Sequence, residues 1–284
     1  EKYRVLKTLG NFNNEIGLPL TVFRLTEDDE VAVLEMGISD FGEMDRLSKI
    51  AQPDICVITN IGFCHLENLG TRDGILKAKT EIFNHMNPDG IVIVNGDDDK
   101  LSTISQVHGK RPLVFGISNK DGVYADNIKS LGLDGTSFTI HGIKTSDNYS
   151  TFDLTVPVPG HHMVYNAMAA ALVGSVLGLS SIEIERGVKN LKTIAGRNNI
   201  IKENGFTIID DCYNANPVSM KASLDVLDTA IGRKVAILGS MFELGENEKQ
   251  MHYDVGMYLG TKDIDVLITA GDLAAQIAEG TRAY

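Results

Sequence analysis

Three residues of this sequence could together hold a metal ion. Glu35 ends a short apolar run in Glu35-Met36-Gly37, His65 lies in a glycine-bounded loop, and Lys79 follows in Ala78–Phe83. Carboxylate and imidazole suit a divalent cation, and such an ion commonly bridges substrate phosphates. An ammonium group ligates no cation. A lysine on a desolvated face has its pKa lowered, however, and the neutral amine adds carbon dioxide to give a carbamate, an anionic oxygen ligand. Glu35, His65 and Lys79 read as a metal site if Lys79 carries that modification. The helical period is what draws attention to Lys79. At about 3.6 residues per turn, Ile75, Ala78, Lys79, Ile82 and Phe83 share one core-facing stripe, and Lys77 points away. A lysine on such a stripe either snorkels, stem packed and head in solvent, or has a partner or a chemical role. Spacing alone leaves both readings open.

Apolar runs supply the elements that would position these residues. Val31–Leu34, Ile55–Ile58, Ile91–Val94 and Leu113–Phe115 suit strands buried on both faces of a parallel sheet. The first three end in polar residues: Glu35, then Thr59 and Asn60, then Asn95 with Asp97, Asp98 and Asp99. In open α/β sheets ligands bind beyond the carboxyl ends of the strands, so these tails are the places to look for chemistry. From Val123 to Val158 short alternating segments around Gly and Asn/Asp turns predict antiparallel hairpins, a flap on the same domain. Helices follow over Met163–Leu177 and Ser181–Leu191. Beyond Gly196 the α/β rhythm restarts. Strands are expected at Phe206–Ile209, Val235–Leu238 and Val266–Thr269, and helices at Pro217–Thr229, capped by Asn216, and Met251–Leu259. The expected organisation is a central domain over 1–194 and a smaller Rossmann-like domain over 195–284. The opening EKYRVLKTLGN reads as the end of a helix followed by a strand, and the close AAQIAEGTRAY has no stop signal, so both ends are expected to be cuts through a larger protein.

Composition narrows the function. The chain has 284 residues, 43% hydrophobic and 23% charged, an ordinary globular balance. A net charge of −12 argues against a nucleic-acid surface. No apolar run approaches membrane-spanning length. Three cysteines without metal spacing (Cys56, Cys64 and Cys212) suit a reducing cytoplasm. No G-x-G-x-x-G follows the first strand, which sets aside a dinucleotide-dependent dehydrogenase.

The motifs NFNNEIGLPLT (Asn11–Thr21), EMG (Glu35–Gly37), TNIGFCHLENLG (Thr59–Gly70), AKTEIF (Ala78–Phe83), YNAMAA (Tyr165–Ala170), GR (Gly196–Arg197) and DDCYNANPVSM (Asp210–Met220) occur in family order. Through them nearly the whole chain resembles the Mur ligase family, the ATP-dependent amide-forming enzymes of peptidoglycan synthesis. The last motif and LGSMFELGE look most like the member that joins D-alanyl-D-alanine to UDP-N-acetylmuramoyl-tripeptide. The resemblance implies an α/β fold: a mostly parallel ATPase sheet with an antiparallel appendage, then a Rossmann-like domain. It implies ATP and two Mg2+ ions as cofactors, with Glu35, His65 and carbamylated Lys79 holding metal. Asn166 matches the residue that contacts adenine, Arg197 one that reaches the ATP phosphates, and Asp211 one near the ribose. Tyr213, Asn214 and Asn216 face the nucleotide and the incoming amine, and Asn13 and Asn14 line the sugar-nucleotide side. The implied protein is a cytoplasmic monomer.

Two positions depart from the pattern: Met163 stands where many relatives have asparagine, and Ser240 where aspartate is common. The family's glycine-rich phosphate loop ending in Gly-Lys-Ser/Thr is not in this chain, so residues 1–284 alone are expected not to ligate. The other readings are a Mur ligase adding the third residue of the peptide, against which YNANP speaks, and a non-catalytic nucleotide-binding relative, against which Glu35, His65 and Lys79 together speak.

Overall fold

The computed structural model describes residues 2–284. The first half alternates strand and helix: β1 (Val5–Lys7), α1 (Gly17–Val22), β2 (Val31–Val33), α2 (Glu43–Ala51), β3 (Ile55–Ile58), α3 (Leu66–Leu69), α4 (Arg72–Thr80), β4 (Ile91–Asn95) and β5 (Leu113–Gly116). Strands β6 (Val123–Ser130), β7 (Thr136–His141) and β8 (Thr151–Val156) follow, then α5 (His162–Val176) and α6 (Ser181–Lys189). The remainder comprises β9 (Asn199–Glu203), β10 (Phe206–Asp210), α7 (Pro217–Asp228), β11 (Val235–Gly239), α8 (Glu248–Gly260), β12 (Val266–Ala270) and α9 (Ala275–Ala283).

The main sheet has six strands in the order β3-β4-β5-β6-β7-β8. Side chains alternate across a strand, and β4 shows what that does here. Ile93 enters the core under α5, while Val92 and Val94 enter the core under α2 and α4. Both faces are covered, which is why β3 and β4 read as unbroken Val/Ile runs. Helix α5 lies across strands from β4 to β8 and buries Val164, Met168, Ala171 and Leu172. Its alanines let it approach the sheet closely. Ser180 caps α6 by accepting from the Glu183 amide, and the Glu183 carboxylate accepts from the Ser180 amide, a reciprocal pair that fixes where the helix starts.

Four expectations change. The Val31–Leu34 run is not a doubly buried strand of the main sheet. Strand β2 pairs in parallel with β1, with Val33 55% exposed. The hairpins are not a flap: β6 pairs in parallel with β5, so β6 to β8 continue the sheet and share its core. Alternation predicted the strands but carries no record of which neighbour they join. Residues 2–4 are not helical; Glu1 lies outside the described residues. An extra strand, β9, pairs with β10 across Asn204-Gly205, both at positive φ, the turn that Asn-Gly favours.

The second half has its own core of Met220, Leu224, Val255, Leu259 and Ile277, with β11 and β12 paired in parallel. Among the described residues no helix is long and apolar enough to cross a membrane.

Candidate functional site

Lys79 lies near the end of α4, whose Thr71 N-cap accepts from the Gly74 amide. Ile75 and Ala78 are buried beside it and Ile82 and Phe83 continue the stripe into a 3-10 turn, while Lys77 is exposed. The Lys79 ammonium donates to the Asn60 carbonyl at 3.2 Å. Burial pushes its pKa below the ordinary lysine value, against smaller opposing pulls from Cys64 and Asp98.

His65 stands at the N-terminus of α3 with φ 60°. Its Nδ1 lies 2.5 Å from Glu243 Oε2. The approach is close but not aligned as a hydrogen bond, and Nδ1 is otherwise buried without a partner. Glu35 follows β2, with its amide donating to Thr8 Oγ1 and its Oε1 accepting from Asn13 Nδ2 at 2.9 Å. Asn13 is packed against Gly37, where a Cβ would lie 2.9 Å from the amide nitrogen. Asn14 accepts from the Ile16 and Gly17 amides at the start of α1.

Glu35, His65 and Lys79 make no hydrogen bond or ion pair with one another. Among the described residues no three His, Cys, Asp or Glu side chains cluster as a metal site. Glu35 and His65 are only two such donors. A cation held here would need further oxygen donors besides these two.

The third polar tail has a different role. Asp97 accepts from the amides of Ile117 at 2.6 Å, Ser118 at 3.0 Å and Asn119 at 2.6 Å, and from the Tyr165 hydroxyl at 2.8 Å. Asp98 accepts from the Ile61, Lys100 and Leu101 amides, and Arg72 grips Asp99 through two bonds. These carboxylates build the loops around the site. Burial works against the charge on Asp97, but its four donors outweigh that and hold its carboxyl below the usual range. Its contribution is therefore full above the unfolded value of about 3.9 and is lost as pH falls through the lower folded value. Asp97→Ala should cost about 3 kcal/mol by urea unfolding at pH 7, and the gap to wild type should narrow as the pH drops below about 4. A pH-independent gap would count against the assignment.

From the second half, Arg197 lies over the Tyr213 ring with its guanidinium carbon 4.2 Å from the centroid. The backbone around it is fixed by acids at the end of β10. Asp210 accepts from the Gly196 amide at 2.8 Å, and Asp211 accepts from the Asn198 amide at 2.9 Å and from Ser223 Oγ. Asn198 Nδ2 donates to the Pro159 carbonyl at 2.8 Å, tying this segment back to the first half. Asn214 Oδ1 accepts from the Ala215 amide. Asn216 caps α7 as expected and also donates to Cys64 Sγ at 3.2 Å. Asn166 on α5 is exposed, its amide 3.5 Å from Met163 Sδ. Ser240 Oγ accepts from the Ala274 amide.

Sequence reasoning missed His252. It is fully buried, Nε2 accepting from the Met241 amide at 2.8 Å and Nδ1 facing the Glu248 carbonyl at 2.6 Å. It pins the Ser240–Gly245 loop. It also missed Glu243, and nothing local signals either residue.

A family model for the Mur ligase middle domain matches residues 1–174, and one for the Mur ligase glutamate ligase domain matches residues 196–284. This chain belongs to the Mur ligase family. Among curated relatives, the UDP-N-acetylmuramoyl-tripeptide–D-alanyl-D-alanine ligase of Bacillus subtilis is 42% identical over 282 residues, 98% of this chain and 59% of that protein. The ligase of the same name from Escherichia coli is 34% identical over 94% of this chain and 58% of that protein. Among solved structures, MurF from Acinetobacter baumannii superposes with a TM-score of 0.90 at 35% identity, over 98% of this chain and 60% of that one. MurF from Thermotoga maritima, solved with ADP, gives 0.84 at 32% identity, over 97% and 62%. This Mur ligase chain thus spans about three-fifths of the relatives it matches, and its α/β architecture is theirs.

Proposed function

We propose that the protein carrying this chain is an ATP-dependent ligase that joins D-alanyl-D-alanine to UDP-N-acetylmuramoyl-tripeptide. The observation that carries the reading is the 42% identity over 98% of the chain with a ligase of that name. The tripeptide's terminal carboxylate takes a phosphoryl group from ATP, the dipeptide amine attacks the acyl carbon, phosphate leaves and an amide remains. Glu35, His65 and Lys79 as its carbamate would hold Mg2+, and two such ions would offset the charge gathered between two anions. The desolvated Lys79 suits carbamylation, in which the free amine bonds to the carbon of CO2 and releases one proton.

Exposed Asn166 is free to meet adenine. Arg197 is held on Tyr213 and by the Gly196 and Asn198 amides, which presents a guanidinium fork to phosphate oxygens. Asp211 supports that segment and stands near the ribose. Tyr213, Asn214 and Asn216 face the nucleotide and the amine, and Asn13 and Asn14 face the sugar nucleotide. The domains divide between residues 194 and 195, and the protein works as a cytoplasmic monomer.

The test is coupled ADP release by the full-length protein with UDP-N-acetylmuramoyl-tripeptide. Turnover should require D-alanyl-D-alanine. Turnover with a single amino acid and a shorter UDP-peptide would instead favour the ligase that adds the third residue, and ATP binding without turnover would favour a non-catalytic relative.

A further inference from the structure

Arg197 is exposed, but the residues on either side of it, Gly196 and Asn198, are buried. Their backbone is held from the second half of the chain. The Gly196 amide donates to Asp210 and its carbonyl accepts from the Tyr213 amide at 3.0 Å, while the Asn198 amide donates to Asp211. The Asn198 side chain runs the other way, its Nδ2 donating to the Pro159 carbonyl at 2.8 Å. Pro159 is buried next to Val158, a residue of the main-sheet core, and α5, the helix that carries Asn166, starts just beyond it at His162. Asn198 sits at φ 47°, a left-handed conformation that asparagine tolerates better than most residues. One residue is thus bonded through its backbone to the Arg197 segment and through its side chain to the base of α5.

That side chain adds little to stability as a whole. Its Oδ1 is buried and meets no donor among the described residues, and an unmet acceptor costs about what one bond contributes. What the carboxamide fixes is geometry. A charge-stabilising group must stand in the right place relative to the nucleotide, and a misplacement of about 1 Å can cost about a hundredfold in rate. We infer that Asn198 is a positioning residue for Arg197: its side-chain bond to Pro159 sets the arginine of the second half against the nucleotide-facing helix of the first. Arg197 at the ATP phosphates and Asn166 at adenine belong to the proposed function, on which this inference rests. The tether bears on the reaction and not on adenine binding, because Asn166 is part of α5 and keeps its place when the tether is cut.

In the full-length protein, Asn198→Gly allows the left-handed backbone and removes only the tether. It should lower kcat for D-alanyl-D-alanine-dependent ADP release by about 10- to 100-fold, keep KM for ATP within about twofold, and leave the urea midpoint at the wild-type value. Asn198→Asp has the same shape, but its carboxylate has no N–H to give Pro159, so kcat should fall in the same way. Asn198→Gly combined with Arg197→Ala should be no slower than Arg197→Ala alone, because a residue that acts through the arginine then has nothing left to position. A kcat unchanged in both Asn198 variants, losses that multiply in the double variant, or a urea midpoint that falls in step with kcat would overturn this inference alone, provided that Arg197→Ala lowers turnover. Turnover that is indifferent to Arg197→Ala would overturn the phosphate role of Arg197 and this inference with it.

Discussion

Lys79→Ala in the full-length protein should lower D-alanyl-D-alanine-dependent ADP release by about a thousandfold, the scale of losing one preorganised charge-stabilising group. Short-chain carboxylic acids should restore part of that loss. The expectation comes from where the side chain sits. The side chain is half-buried, its ammonium is bonded to one backbone carbonyl, and burial lowers its pKa below the ordinary lysine value. A lysine whose surroundings favour the neutral amine accepts carbon dioxide more readily than an ordinary surface lysine. Truncation to alanine leaves a space the length of the side chain, into which a small carboxylate fits and supplies the missing oxygens. Lys77→Ala is the control: it is exposed, its ammonium lying 5.6 Å from the Phe41 ring centroid, and its loss should leave turnover within twofold or so of wild type. Peptide mass spectra of unmodified Lys79 at high bicarbonate, with no rescue by carboxylates, would remove the carbamate from the proposal.

The largest effect on stability should come from Gly256→Val. Helices α8 and α9 touch backbone to backbone at two glycines. A Cβ on Gly256 would lie 2.0 Å from the Ile277 carbonyl oxygen, and one on Gly280 would lie 2.2 Å from the Tyr253 carbonyl oxygen. Neither obstacle is a flexible side-chain tip, so the helices must separate. That would open the core around Val255, Leu259 and Ile277. A cost of about 3–4 kcal/mol is expected, at the upper end for overpacking, read as a lower urea midpoint. Gly187→Ala provides the opposite sign from the same chemistry. Gly187 is an exposed position in α6 with nothing within 4 Å of its added Cβ. There the gain in helix propensity stands alone, about 0.5–1 kcal/mol of stabilisation. Similar responses at the two glycines would mean that the α8–α9 contact is looser than described.

Local signals in the sequence proved legible where a side chain's own element determines its surroundings. The stripe through Ile75, Ala78 and Ile82 identified the buried side of α4, and Asn216 before Pro217 marked a helix start. Asn204-Gly205 is a hairpin signal that went unread, and with it β9, whose polar end Lys202-Glu203 masks the strand. Signals failed where the partner is remote. Asp97 resembles a ligand at a strand end, yet its donors are amides 20 to 22 residues away and a tyrosine 68 residues away. Nothing near Glu243 in the sequence reports that it meets a histidine far earlier in the chain. Strand β2 reads as buried because its composition is that of a core strand, whereas burial depends on what packs against it.

The parallel pairing of β5 with β6 also bears on how the molecule comes apart. Ile93 and Phe115 from the parallel strands interlock with Phe138, Ile140 and Leu154 from the antiparallel ones beneath α5 and α6. Neither set can lose its packing while the other keeps its own. The antiparallel strands therefore belong to the same cooperative unit as the parallel strands β4 and β5, and exchange of their interior amides with solvent requires that whole unit to open. The core around Met220, Leu224 and Val255 shares no residue with it, and its amides are expected to exchange through a separate opening.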